Sequence, residues 1–165
     1  MSGKNGELVF SLTQRIEGIK RSMNRVTYEA VATMVTRLDE VSPVGNPKLW
    51  QDKRKADWAI RTGYVGGQFR GNWQLGVNQR PVGWLPGKID PSGASTVAEN
   101  ISKIPKMASR GYVYYLVNNT PYGIALEEGH STQAPHAFVY RIKREFNGIV
   151  RNIAAQIKSE GGRTK

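Results

Sequence analysis

Apolar residues recur every three or four positions from Ser11 to Val41, and this spacing predicts one long helix with a single apolar stripe. Ser11 and Gln14 fit a capping box at its start, and Ser42-Pro43 marks its end, because the residue before proline avoids the helical region. The stripe comprises Ile16, Ile19, Met23, Val26, Ala30, Met34 and Leu38. A helix of about 30 residues is ~45 Å long, so we expect it to extend beyond its own core.

Two later segments have the composition and alternation of strands. Trp73, Leu75 and Val77 share one face of 71–79, and 111–119 (GYVYYLVNN) is rich in tyrosine and valine. Between and after them lie a short helix from about Ser95, a helical turn over 122–128 and an amphipathic helix from Phe138 onward. The short helix turns Val97, Ile101 and Ile104 inward, and the last helix carries Phe138, Ile142, Phe146, Ile149, Ile153 and Ile157 on one face until Gly161 and Gly162 end it.

These elements predict one α+β domain over residues 1–165, in which a small antiparallel sheet packs against the long N-terminal helix and the C-terminal amphipathic helix. Residues 159–165 are expected to form a flexible basic tail.

The segment 44–71 does not fit this regular pattern. It combines several glycines, a charged run and four aromatic residues, and a structureless connection of this length is unusual unless it is functional. Disordered segments are poor in aromatic residues. We therefore expect a long extended arm that becomes ordered against a partner, with Trp50, Trp58, Tyr64 and Phe69 as interface candidates.

The charge balance changes the picture of possible partners. The chain carries 24 Lys and Arg against 13 Asp and Glu, a net charge of +11, which predicts attraction to nucleic acid or to an acidic protein. On the last helix Arg144, Arg151 and Lys158 follow a seven-residue spacing, with Arg141 beside them. This basic stripe faces solvent, or it contacts DNA or an acidic neighbour. The chain has no cysteine, no secretory h-region and no apolar run of membrane-spanning length, so we expect a cytoplasmic protein without a membrane contact.

The stretch NNTPYGIALEEGHSTQAPHAF, residues 118–138, holds the residues most often used in catalysis. His130 and His136 are six apart and separated by Pro135, which is not a zinc spacing, and GHS lacks the second glycine of a nucleophile elbow. YVGGQFRG lacks the lysine of a phosphate-binding loop. We expect no metal, no cofactor and no enzymatic activity. A hydrolase that uses His130 or His136 is the weakest functional hypothesis for this chain.

Several pieces in their order resemble a known family. SPVGNPKLW follows the first helix, GYVGGQFRGNWQLGVN leads into the first strand, and DPSGASTVAENISKI precedes VYYLVNNTPYGIALEEGHSTQAPHAFV. From about Met23 to Ile153 this resembles the neck and tail-completion proteins of tailed bacteriophages, the family related to minor tail protein Z. Gly123 stands where a small residue is usual, and His136-Ala137 replaces a common Gly-Met type of pair.

The resemblance implies a structural virion protein at the head–tail junction, assembled in the host cytoplasm. Such a protein acts as a tail-completion, terminator or connector ring that joins tail to head and lines the DNA passage. It implies a homo-oligomeric ring, expected to be six-fold, contacts with adjoining neck or tail-tube proteins, and no catalysis. Tyr122, Glu127 and Glu128 join the interface candidates. The alternative is a basic nucleic-acid-binding protein that is not part of a virion.

Overall fold

The computed structural model describes residues 3–106, 111–131 and 133–162, without the side chains of residues 3–9 and 162. The observed elements confirm the α+β class, with a two-stranded antiparallel sheet, a long first helix and a long last helix. In chain order they are α1 (Gly3–Val41), a 3-10 helix (Pro47–Leu49), α2 (Lys53–Arg61), α3 (Gln68–Gly71), β1 (Trp73–Val77), α4 (Ala94–Ser102), β2 (Tyr114–Asn118), α5 (Gly123–Glu127) and α6 (Phe138–Gly162).

Helix α1 ends where the sequence predicts and begins earlier. It starts at Gly3, so Ser11 lies inside the helix and the predicted capping box is wrong. Its end at Val41 confirms the effect of Ser42-Pro43. The buried hydroxyl of Ser42 donates to the Leu38 carbonyl at 2.6 Å and accepts from the Trp73 indole nitrogen at 2.7 Å. The end of α1 is thereby joined to the sheet.

The core lies between the sheet, the C-terminal half of α1 and the start of α6. Its buried members are Leu38, Phe69, Trp73, Phe138 and Ile142. The ring centroid of Phe69 lies 5.9 Å from that of Trp73 and 5.8 Å from that of Phe138, both edge-on, the arrangement that aromatic pairs prefer.

Helices α1 and α6 run antiparallel. Arg37 of α1 pairs with Glu145 of α6 at 3.1 Å, and Arg25 pairs with Glu160 near the other end of α6. The helix continues through Gly162, so 159–162 is helical and the predicted flexible tail is wrong over these four positions; 163–165 lie outside the described residues.

Strand β1 pairs with β2 from Trp73 opposite Asn118 to Val77 opposite Tyr114. Its other edge is completed by a side chain of α4. The Asn100 amide accepts from Leu75 N and donates to the Trp73 carbonyl, both at 2.8 Å, and Asn100 is fully buried. Ile104 is buried as predicted, but the centre of the inward face of α4 is Thr96 and Asn100.

The segment 44–71 is not an extended arm, and that prediction is wrong. It forms the 3-10 helix, α2 and α3, and it folds back onto the domain. Two buried glycines allow the return. Gly66 and Gly67 adopt φ of +72° and +88°, and a Cβ would lie 2.4 Å from the Gly45 carbonyl oxygen at the first and 2.4 Å from Pro91 N at the second. A side chain at either position would be strained and would clash with backbone.

Within the described ranges, no helix is both long enough and apolar enough to cross a membrane.

Candidate functional site

A groove with aromatic walls lies just beyond the C-terminal end of α1. It encloses about 240 Å³ and joins two parts of the chain that are far apart in sequence, 43–69 and 122–133. Four of the predicted interface residues line it: Trp50, Tyr64, Phe69 and Tyr122. The sequence identified these residues one by one, and the fold brings them to one place.

One wall of the groove is the pair Trp50 and Tyr64, whose ring centroids are 5.3 Å apart. The Tyr64 ring lies so close to Gly45 that a Cβ there would be 2.5 Å from the phenol oxygen. The wall is tied to the opposite side by Gln133, whose Oε1 accepts from Asn46 N at 2.7 Å. The two segments are therefore held together by a hydrogen bond from a backbone nitrogen to the Gln133 side chain.

The opposite wall is Tyr122, at the start of α5. Its hydroxyl donates to Gln68 Oε1 at 3.3 Å, and its ring lies 6.3 Å from that of Phe69. Burial raises the pKa of the phenols of Tyr122 and Tyr64 above the ordinary value, so both stay neutral at physiological pH. The groove offers neutral aromatic surface with phenol groups, which suits an apolar side chain better than an ion.

Phe69 forms the base of the groove and belongs to the core. Only 5% of it is exposed, and it packs between Trp73 and Phe138. Its prediction as a residue that reaches a partner is wrong, because α3 turns it inward.

The two glutamates at the end of α5 have different surroundings. The carboxylate of Glu127 accepts from the backbone nitrogens of Val139 and Tyr140 at 2.9 and 3.0 Å, so it caps the N-terminus of α6. Both oxygens accept a bond within the chain, so the carboxylate has a capping role, and its contact with a partner stays a prediction. Glu128 is exposed and remains a candidate.

Trp58 lies outside the groove, on the exposed side of α2. It is 58% exposed, whereas Ala56 and Ala59 on the same helix are buried. Asp52 fixes the start of α2 by accepting from the backbone nitrogens of Arg54 and Lys55. Leu49, Ile60 and Val65 are also exposed in this part of the chain. The region 49–65 therefore presents apolar side chains beside the groove.

The polar residues that open the stretch 118–138 hold the backbone in shape. Asn118 donates to the Phe69 carbonyl at 2.7 Å and accepts from Thr120, while Asn119 donates to the carbonyls of Pro81 and Gly83. Asn, Thr and Gln are typical loop residues that satisfy backbone groups, and Asn119 and Gln133 act in this way. Thr132 lies outside the described residues.

The two histidines lie near the groove without joining it. Both are exposed, and the His136 ring packs over Gly129, whose Cβ would lie 3.1 Å from it. Among the residues that the structure describes, no group of three or more His, Asp and Glu side chains is placed to hold a metal ion.

The predicted basic stripe on α6 faces away from the core. Arg141, Arg144, Arg151 and Lys158 are all exposed, and Arg151 makes a hydrogen bond to the Asn147 carbonyl one turn earlier. The stripe leaves cationic groups in solvent along about five turns of helix.

A buried charged cluster under the end of α1 was not found from the sequence. Arg70 donates to the carbonyls of Pro91, Glu40 and Ser42, which joins the last turn of α1 to the loop before α4, and it lies 3.8 Å from Asp39. Burial raises the pKa of Asp39 to about 6, despite the opposing effect of Arg70. No hydrogen-bond partner is present for Asp39 Oδ1 among the described residues.

Asp90, in the same cluster, shows the opposite behaviour. Burial alone would raise its pKa, but the carboxylate accepts hydrogen bonds from Ser95, Thr96 N, Ser92 and Gly93 N, and these lower the pKa below its ordinary value. It thereby fixes the N-terminus of α4.

Comparisons of the chain with protein-family models, curated proteins and solved structures found no match.

Proposed function

We propose that the protein is a structural component of a tailed-bacteriophage virion at the head–tail junction. It acts as a tail-completion, terminator or connector ring that joins tail to head and surrounds the DNA passage. The proposal rests on the resemblance of residues 23–153 to that family. The structural observation that supports it is the groove in which Trp50, Tyr64 and Tyr122 converge.

Aromatic surface of this kind favours a protein partner. Trp and Tyr dominate interface hot spots, and apolar patches on a single subunit mark contact sites. Beside the groove, Trp58 and Val65 are 58% and 62% exposed. In a ring each copy would offer the groove to a different face of its neighbour, the head-to-tail contact from which closed rings are built.

The basic stripe favours a second role within the same assembly. Arg144, Arg151 and Lys158 are exposed on the side of α6 opposite its core face, so they are free to meet DNA or an acidic neighbour. The same observation supports the alternative function, a nucleic-acid-binding protein outside any virion. Binding through phosphate contacts weakens steeply with salt, so the salt dependence of DNA binding measures whether the stripe contacts DNA.

The first experiment is deletion of the gene from the phage that encodes the protein, followed by electron microscopy. Filled heads and tails should accumulate unjoined, or tails should have an unfinished end. Normal infectious virions would refute the proposal.

The second experiment tests the groove itself. Purified Trp50→Ala/Tyr64→Ala protein should form fewer rings in native mass spectrometry and fail to restore infectivity. Tyr140→Ala is the matched control, because Tyr140 is an exposed aromatic residue on α6 that does not line the groove. Equal ring formation by both variants would remove the groove from the assembly contact.

A charge-reversal variant separates the alternative function. Arg144→Glu/Arg151→Glu should weaken DNA binding and reduce its salt dependence if the stripe contacts phosphates. Tight DNA binding by the wild-type protein, with virions unaffected by its loss, would favour the nucleic-acid-binding alternative.

A further inference from the structure

The N-terminal half of α1 carries an apolar row that the structure leaves uncovered. Leu12, Ile16, Ile19 and Met23 are 49%, 51%, 60% and 64% exposed, although they continue the stripe that is buried farther along the same helix. Isolated exposed apolar residues are common, but four on one helical face form a continuous patch. We call these four residues the exposed seam.

The spacing of the seam is that of a coiled coil. Leu12, Ile16, Ile19, Met23 and Val26 are separated by four, three, four and three residues, the alternation of a and d positions in a heptad. A surface helix that packs on a globular core has a broader apolar face, whereas this narrow row suits the side of a second helix.

Within the protein, helix α6 covers only the later part of this row. Helix α6 runs antiparallel to α1, and near its end Glu160 pairs with Arg25. From Val26 onward the row is half-buried or buried, and before Arg25 it is exposed. The seam therefore continues the α1–α6 contact beyond the described end of α6, and a helix placed in line with α6 would extend that contact.

The charges beside the seam indicate which kind of helix fits. Arg15 and Lys20 occupy the positions that flank the a/d row, where coiled coils select their partners. Residues 10–25 hold four basic residues and one acidic residue, and the whole chain carries +11. Lys20 pairs with Glu17 at 2.8 Å, whereas neither Arg15 nor Arg21 has an ion-pair partner among the described residues, so this part of α1 keeps an excess of positive charge.

The same charges argue against a second copy of this chain as the occupant. In a parallel pair Arg15 of one copy would face Lys20 of the other, and like charges at these positions destabilise the pair. In either orientation two segments rich in basic residues would lie side by side.

We propose that the exposed seam binds a helix of a different protein, one with an apolar a/d row flanked by glutamate or aspartate. The seam and the groove are separate surfaces, since no residue of the seam lines the groove. The proposal does not depend on ring formation, and a monomer suffices to test it.

The test uses the full chain and two synthetic three-heptad peptides. Both have Leu and Ile at a and d; one has Glu at every e and g position and the other has Lys. Fluorescence anisotropy at low and at physiological salt measures each dissociation constant. The Glu peptide should bind at least about tenfold more tightly than the Lys peptide, because several flanking charge pairs change from attraction to repulsion.

Three variants give the controls. Ile16→Gln/Ile19→Gln should abolish binding of the Glu peptide, and circular dichroism checks that the helix is kept, since both residues are exposed and glutamine is a good helix former. Arg15→Glu/Lys20→Glu should reverse the preference toward the Lys peptide. Arg144→Glu/Arg151→Glu changes the net charge equally, far from the seam, and should leave the preference intact.

Three results would overturn the proposal. The first is that neither peptide binds. The second is equal binding of both peptides, which would show unspecific apolar adhesion. The third is self-association in analytical ultracentrifugation that Ile16→Gln/Ile19→Gln removes, which would assign the seam to a second copy.

Discussion

The two halves of α1 carry one continuous apolar stripe in opposite surroundings. In 26–41 Ala30, Val35 and Leu38 are buried, whereas in 10–25 Leu12 and Ile16 are about half exposed. The difference shows that periodicity in a sequence identifies an apolar face without identifying what covers it. One half of the helix uses that face to build the core, and the other half keeps it available.

The halves also differ in what stabilises the helix. The C-terminal half is packed against α6 and α4, and Arg70 binds the carbonyls of its last turn. Residues 10–23 are exposed, apart from the half-buried Gly18, and a helical segment of this length is marginal in water without tertiary packing. We expect hydrogen exchange to be faster in 10–22 than in 28–41.

The largest contrast should come from truncating the buried part of the row. Leu38→Ala removes a side chain that packs in the core with Phe69 and Trp73, and it should lower the free energy of unfolding by about 2–5 kcal/mol. Urea denaturation followed by tryptophan fluorescence measures the change. A loss below 1 kcal/mol would mean that the end of α1 is not part of the cooperative core.

A smaller effect is expected at Asp39, the buried charge of the same half. Because burial raises its folded pKa to about 6, its ionisation destabilises the fold progressively as pH rises from about 4 to 6. Asp39→Asn should therefore be more stable than wild type at pH 7, by up to about 3 kcal/mol at 1.36 kcal/mol for each pKa unit.

The control for Asp39 is the pH profile. The two proteins should have similar stability near pH 4, and the difference should grow up to pH 6 and then level off. Asp90, whose pKa is held below its ordinary value by hydrogen bonds, stays ionised in both proteins over this range, so its own titration adds no difference. A difference that is independent of pH would show that the substitution acts through packing.

At the boundary between the halves the expected effect is modest. Arg25 pairs with Glu29 and with Glu160 of α6, and both contacts are close to solvent. Arg25→Gln should lower the free energy of unfolding only slightly, and high salt should reduce the difference. Thermal unfolding at two ionic strengths is the measurement, and a salt-independent loss would contradict an electrostatic origin.

The smallest effect is expected in the exposed half. Leu12→Ala removes the same atoms as Leu38→Ala but from a side chain that is 49% exposed, and surface substitutions usually change stability by less than about 0.5 kcal/mol. The same urea titration serves as the test. A loss approaching that of Leu38→Ala would mean that the seam is already covered in the isolated protein.

Local rules predicted the features that depend on neighbouring residues. The end of α1 at Ser42-Pro43 follows from backbone sterics, and the positions of β1 and β2 follow from alternation and β-propensity. These signals lie within a few residues of what they determine.

The errors concern contacts between distant residues. The sequence places Phe69 in a long segment without a regular pattern and so predicts a partner contact, yet Gly66 and Gly67 in that segment let α3 turn it into the core. Asn72 and Asn100 are fully buried, although asparagine usually indicates surface. The fold explains their burial, because the Asn100 amide bonds to backbone groups of β1 and the Asn72 amide accepts from Leu85 N.

The Asn100 amide also limits how copies of this domain can join. An open strand edge has free N–H and C=O groups that can pair with a strand of another chain, which is a common cause of aggregation and domain swapping. Here Asn100 occupies the Trp73 carbonyl and Leu75 N, so a third strand has no place to pair at the centre of β1. One buried amide thus protects this side of the sheet from growing by strand addition and leaves recognition there to side chains.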